Sequence, residues 1–362
     1  MASHQPNQQN PWANAPIINP AQLGGIETST LDDGPGRGIR IAWVNTGGGL
    51  RYKVVIDRGL DIADAEFLGQ SLTWHSFTGV TAPNPALHRG LDWLWGFYGG
   101  LVVSCGPLNV GAPCQDQGRP LPLHGTPSNT PASLQAIVNP CPADGQLEMS
   151  ITGQVRTARG FGPSVEMTRT ISSTLGQPVI RVRDTFVNRG NETVEHGWLL
   201  HINFGWPLLD PGAAVLCYRG QVTPRADSAV HFTTTDHKRV PDPLDAHRGP
   251  GEDCAYIDHA VGKDGMVRCG VVNTRRQRGV MIEYPKAHFP RMVNWQHWGP
   301  NGSYVSALEP CNAGVEGRDV DRQRGWLDFL EPGQRRQYDC TITATDDPDR
   351  KSTRLNSSHG KL

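Results

Sequence analysis

The sequence predicts one large all-β unit of antiparallel strands. Three observations carry that expectation. Glycine (42) and proline (29) make up about a fifth of the 362 residues, against ~12% in ordinary proteins, which favours many short elements over long helices. Apolar residues recur with a period of two in stretch after stretch. Turn signals separate those stretches, and no repeat of the ~20–50-residue kind is visible.

In chain order, residues 1–25 are rich in Asn, Gln, Pro and Ala and read as a disordered or loosely draped arm. Gly38 to Val44 and Leu50 to Asp57 alternate on either side of Asn45-Thr46-Gly47-Gly48-Gly49, the pattern of a hairpin. Strand-like pieces follow around Glu66-Phe67-Leu68 and Ser71 to His75, and Gly99 to Gly106 reads as a short buried strand. Leu147 to Val155, Ser164 to Leu175, Val179 to Asn188 and Glu195 to Trp206 have the spacing of an antiparallel meander. Residues 221–262 are polar and irregular and read as excursion loops, some over a cleft. The strand pattern resumes at Met266 to Asn273, Gly279 to Tyr284, Arg291 to Trp298, Ser303 to Glu309 and Gln337 to Thr345. Residues 347–362 do not match the rest and are read as an appended tail, which leaves 26–346 as a single domain.

Composition excludes several classes of function. The net charge is -1 and the pI near 6.9, so no basic excess points to nucleic acid or an anionic membrane. No apolar run has the length of a membrane span. Met1 to Pro20 lacks a basic start and an apolar centre, so the expected location is the cytoplasm. The eight cysteines include no CxxC pair and read as buried or inert thiols. The glycine runs at 34–38 and 47–49 do not open helices, and neither HExxH nor GxSxG occurs.

The most informative stretch is Leu199 to Leu209. Leu200, Ile202, Phe204 and Trp206 fall on one face and belong on a core. Leu199, His201, Asn203 and Gly205 fall on the other, which aims an imidazole and an amide away from that core. Two further titratable groups sit at strand ends or glycine turns: His124 in Leu123-His124-Gly125, and Glu309 in Ala307-Leu308-Glu309-Pro310. Each of the three, taken singly, also reads as a satisfied structural group. Residues 81–99 are dense in Trp, Pro and His, which suits either a carbohydrate wall or a self-anchoring loop. Arg58 and Asp61 flank a glycine turn and read either as a local ion pair or as part of a site.

Together these motifs resemble the aldose 1-epimerase, or galactose mutarotase-like, superfamily, nearest its aldose-1-epimerase-like branch. The resemblance rests on Asp57 to Ile62, Gly99 to Gly106, Leu123 to Gly125, His201 to Leu209 and Ala307 to Asn312, in that order, and spans about residues 25 to 345. It implies a large antiparallel β-sandwich with a cleft over one sheet. It implies anomer interconversion of a free aldose by one acid and one base, with no metal or other cofactor. In it His201 takes the place of the acid and Glu309 that of the base. His124 takes the place of a pocket histidine that binds and orients hydroxyls. Asn203, Arg58, Asp61, His75 and Gln296 are expected to contact the sugar. The family's sugar-binding aspartate has no clear counterpart, and Asp227 and Asp253 stand for it by position alone. The partner is then a neutral, unphosphorylated carbohydrate, with the oligomeric state open. Two other readings stay open: an isomerase, epimerase or lyase on the same scaffold, with His75, His124, His201 and Glu309 around a divalent metal, and a carbohydrate binder without catalysis.

Overall fold

The structure, a computed structural model, describes residues 10–12 and 15–347. The start of the expected arm and nearly all of the expected tail lie outside them. The described part of the arm is not loose. It forms the short turn Pro20–Gln22, and Trp12 packs on the main core, where a Cβ on Gly176 would come within 2.4 Å of its ring.

Every strand pairing within the sheets is antiparallel. Eight strands run in the order Ala214–Cys217, Met266–Asn273, Arg278–Pro285, Arg335–Thr345, Val179–Asn188, Ser164–Thr174, Glu148–Ala158 and Ser133–Val138. Six more run in the order Gly220–Pro224, Asp253–His259, Arg291–Trp298, Tyr304–Cys311, Leu199–Phe204 and Val103–Cys105. A five-stranded sheet begins with Gly25–Thr30 and contains the expected hairpin, Arg40–Asn45 with Leu50–Val55. The α-helices among the described residues, Ala229–Thr234 and Arg318–Arg324, are short. None is long and apolar enough to cross a membrane. This is the large antiparallel β-sandwich that the sequence resemblance implies.

The sandwich closes because the two large sheets each turn an apolar face inward. Ile151, Ile171, Val182, Ile282 and Ile342 from the first meet Leu200, Ile202, Phe204, Ile257, Met292 and Leu308 from the second in one cluster. Each such side chain contributes ~1.5–3 kcal/mol by leaving water. The six-stranded sheet is covered on its other face as well. Val103, Cys105, Leu199, Cys254, Tyr256, Val293 and Cys311 pack there with Trp93, Phe97 and Tyr98 of the tryptophan-dense loop. Strand Leu199–Phe204 is therefore buried at all six positions.

Three expectations change. The meander stops after three strands: Val179–Asn188 pairs next with Arg335–Thr345, and the fourth run crosses to the other sheet. It breaks at Gly197-Trp198 into Val194–His196 and Leu199–Phe204, because the buried Trp198 indole donates to Asp184 in the sheet being left. Residues 221–262 contain two strands of the six-stranded sheet. Asp253–His259 hid its alternation because Cys254, Ala255, Tyr256 and Ile257 are buried on both faces. Trp206 is 61% exposed. The strand ends at Phe204, and Gly205 lies against Thr73 and Trp74, which turns Trp206 out to stack under the Arg276 guanidinium. All eight cysteines, each among the described residues, are free thiols.

Candidate active site

A cavity of about 510 Å³ lies over the second face of the six-stranded sheet. Cys254, Val293, Trp295, His297, His201 and Glu309 form its floor, and the walls come from Trp93, Leu94 and Phe97, from Gly111 to Pro113, and from Gly249, Pro250 and Glu252. Sheet register assembles the floor. Strand alternation sends Val293, Trp295 and His297 to the same side. The pairing Val293↔Glu309 places the carboxyl beside them. The pairing Ile202↔Leu308 brings the next two residues, His201 and Glu309, face to face.

His201 Nε2 stands 3.1 Å from Glu309 Oε1, with both side chains almost wholly buried. That distance would suit an ion pair, but burial works against both charges. Burial raises the Glu309 carboxyl well above its ordinary range, and the nearby Glu252 adds to the shift. Burial first, then the neighbouring His124, pushes His201 well below its ordinary value, while Asn203 opposes slightly. Both shifts favour the uncharged form of the group concerned. Neither Glu309 Oε1 nor His201 Nδ1 has a well-formed hydrogen bond within the protein. Buried polar atoms are seldom left so, and such exceptions cluster where a structure does chemistry.

His124 completes the group, its ring 5.6 Å from that of His201 and edge-on to it. It is held at a positive φ of 55°. Its Nδ1 accepts from the Gly111 amide at 3.3 Å, which puts the ring proton on Nε2. Burial lowers its pKa to about 4, so it is a neutral donor at physiological pH. Trp93 packs on it at 4.8 Å, and Trp295 meets the His201 ring edge-on at 5.4 Å.

Of the eight residues expected at the site, the structure brings together His124, His201 and Glu309. The other five lie off the cavity wall. Arg58 is an anchor: it donates to the carbonyls of Ser128, Thr81 and Gly96 at 2.5–2.8 Å and so ties both ends of the tryptophan-dense loop. Asp61 is buried against Ser104, Arg169 and Tyr98. His75, half-exposed, pairs with Asp64 at 3.0 Å. Asn203 shares the face of His201, but the Gly99 to Leu101 segment covers it, and its amide donates to Gly100. Gln296 has the opposite parity to Trp295 and His297. It points into the sandwich and bonds His231 and His237. Asp227 is engaged by Arg225, and Asp253 by His247 and His231. The set His75, His124, His201 and Glu309 is not assembled, and no metal-holding group of three or more His, Cys, Asp or Glu occurs among the described residues.

The wall also holds groups the sequence did not single out. Glu252 accepts from Trp295 Nε1 at 2.7 Å and pairs with Arg225 at 2.8 Å. His297 places both ring nitrogens on carbonyls, Ser303 at 2.7 Å and Gly249 at 2.9 Å. The strand parity of Asn294 to Trp298 would have found Trp295 and His297, once Glu309 fixed which face looks outward. Nothing local marks Glu252. The tryptophan-dense loop serves both its readings: Trp93, Leu94 and Phe97 line the cavity, while Trp93 and Phe97 stack at 4.6 Å to anchor it.

The fold has solved counterparts. The fold matches that of a candidate aldose 1-epimerase from Klebsiella pneumoniae subsp. pneumoniae at 24% identity and TM-score 0.84, covering 94% of this chain and 89% of that one. It also matches a galactose mutarotase-like protein from Clostridium acetobutylicum (11% identity, TM-score 0.63, 89% and 99% covered). A galactose 1-epimerase from Lactobacillus acidophilus NCFM matches at 10% identity and TM-score 0.58, with 88% and 98% covered. No curated protein of known function matches the sequence. The sequence model of the domain of unknown function DUF4432 matches residues 36–344. The chain accordingly belongs to the DUF4432 family, built on the aldose 1-epimerase fold.

Proposed function

We propose that the cavity binds a sugar and interconverts its anomers by opening and closing the ring. The observation that carries this reading is the His201–Glu309 pair, buried and 3.1 Å apart at the floor of an aromatic-walled cavity. Mutarotation needs one proton given to the ring oxygen and one taken from the anomeric hydroxyl. Those two oxygens share a carbon, so an acid and a base in contact with each other can serve both at once. The resemblance implied His201 as acid and Glu309 as base. Burial favours the reverse at rest: Glu309 gives its proton to the ring oxygen while His201 takes the hydroxyl proton. The C1–O5 bond breaks, C1 becomes a carbonyl, and the pair is left as carboxylate and imidazolium. Rotation about C1–C2 and return of both protons close the ring on either face. The transient charges lie in contact, where each stabilises the other. His124 Nε2–H donates to a sugar hydroxyl and holds the ring in place. Trp295 offers a face on which sugar C–H groups stack.

The test is anomer exchange by NMR on a panel of free aldoses, deoxy sugars and uronates, for the native chain and Glu309→Gln. The expected outcome is faster exchange on one class of sugar, unaffected by EDTA and lost in the variant. Exchange that stops with EDTA would move the reading to a metal-dependent isomerase. Binding with no exchange in either protein would leave a carbohydrate-binding protein.

A further inference from the structure

We propose that the substrate is a sugar bearing an apolar arm remote from its anomeric carbon, and that the arm lies along the outer half of the cavity and on the rim formed by Phe77, Leu91 and Leu94. This rests on the mutarotation reading of His201 and Glu309 and adds the class of substrate.

Three observations lead there. The first is size. A cavity of about 510 Å³ falls within the ~300–1,000 Å³ that encloses drug-sized ligands, whereas a lone pyranose is a small one. The second is the distribution of hydrogen-bonding capacity. A free hexose presents polar groups all round its ring, and each one buried without a partner weakens binding. The titratable side chains of the lining that meet one another rather than a saturating partner, His124, His201 and Glu309, gather at one end. Elsewhere the polar side chains are mostly engaged with the protein. Arg225 and Glu252 hold each other, and Glu252 also holds Trp295. His297 spends both ring nitrogens on carbonyls. The Ser76 and Thr78 hydroxyls donate to the Phe97 carbonyl at 2.5 and 3.1 Å. What they leave between them is apolar.

The third observation is at the mouth. Phe77, Leu91 and Leu94 line the same cavity yet are 78%, 59% and 50% exposed. Phe77 rests its ring edge on Gly302, where an added Cβ would lie 3.2 Å away. Trp74 donates to the Gly302 carbonyl at 2.8 Å and fixes that support. Large apolar side chains held open to water beside a site mark what the site receives. Their continuity with the cavity points to a single ligand, polar at the buried end and apolar at the mouth. The arm cannot be attached at C1, because the reaction needs that hydroxyl free.

The experiment compares 6-O-benzyl and 6-O-octyl ethers of glucose and galactose with the parent sugars, by calorimetric binding and by NMR anomer exchange, in the native chain and Phe77→Ala. The expected result is binding and kcat/KM for the ethers about tenfold or more above the parents, as burial of one phenyl-sized group implies. In Phe77→Ala the ratio of ether to parent falls towards one. Equal handling of ether and parent, or a ratio untouched by Phe77→Ala, would overturn the proposal. Tight binding of the ethers without faster exchange would keep the apolar-arm assignment and remove the mutarotase reading. Accelerated exchange on parents alone would do the opposite. A dimer dissolved by Phe77→Ala, with no preference for the ethers, would give the rim to a second copy of the chain and overturn the proposal.

Discussion

Two groups of buried ionisable residues lie on either side of strand Leu199–Phe204, and they are finished to different degrees. On one side Arg169 bridges Asp61 at 3.1 Å and Asp184 at 2.7 Å. Asp61 also accepts from the Ser104 amide and hydroxyl, and Asp184 from the Trp198 indole. Burial pushes the Asp61 carboxyl up, and Arg169 and Ser104 pull it back. On the other side Glu309 is equally buried, no cation offsets its shift, and the nearest acidic group works in the same direction. Burial of charge is therefore not what marks a site in this protein. A network with its hydrogen bonds complete is architecture, and one left open beside a cavity is chemistry.

The sharpest way to break that contrast is by activity. Glu309→Gln and His201→Asn should each lower kcat by about 10²–10⁴-fold, the range of a lost general acid or base, with KM for the sugar changed far less. If both variants raise KM and spare kcat, the pair binds rather than catalyses. Stability should read the other way. Arg169→Met strands two carboxylates and should cost about 3–5 kcal/mol in chemical denaturation. Glu309→Leu should be neutral or stabilising at neutral pH, because it removes a buried group with an unmet oxygen. A large loss of stability in Glu309→Leu would place the residue in the framework.

The smallest effect concerns pH. The His124 pKa is lowered by folding, from 6.5 to about 4. Its neutral form favours the fold, so its contribution is fully present above pH 6.5 and is lost as pH falls through about 4. The His201 shift has the same sign. The Glu309 shift is upward, so its contribution is present below about pH 4.5 and is lost as pH rises through the folded value. Melting temperature measured from pH 6.5 down to 4 should fall less steeply in His124→Gln than in the native chain. Parallel curves would show that His124 is solvated.

The strands with one polar face were legible from alternation alone, and so was the hairpin. The five ordered motifs pointed to the fold and to His124, His201 and Glu309. Other readings failed for physical reasons. Arg58 and Asp61 look alike in sequence whether they face a sugar or the protein, because the partners that decide it, Ser128 and Arg169, lie 70 and 108 residues away. Gln296 was misdirected because Arg291–Trp298 is largely buried on both faces, so period two could not say which parity looks outward. Glu252 carries no motif, and only the folded chain sets it beside Trp295.

The clamp made by Arg58 has a thermodynamic consequence. One guanidinium fixes Thr81 and Gly96, and with them the aromatic wall between. That wall is ordered before any ligand arrives, so closing on a sugar need not freeze a long loop, a cost of ~1–2 kcal/mol for each backbone residue immobilised. Binding should then show little entropic penalty from the protein, and affinity should be set by the ligand's own shape.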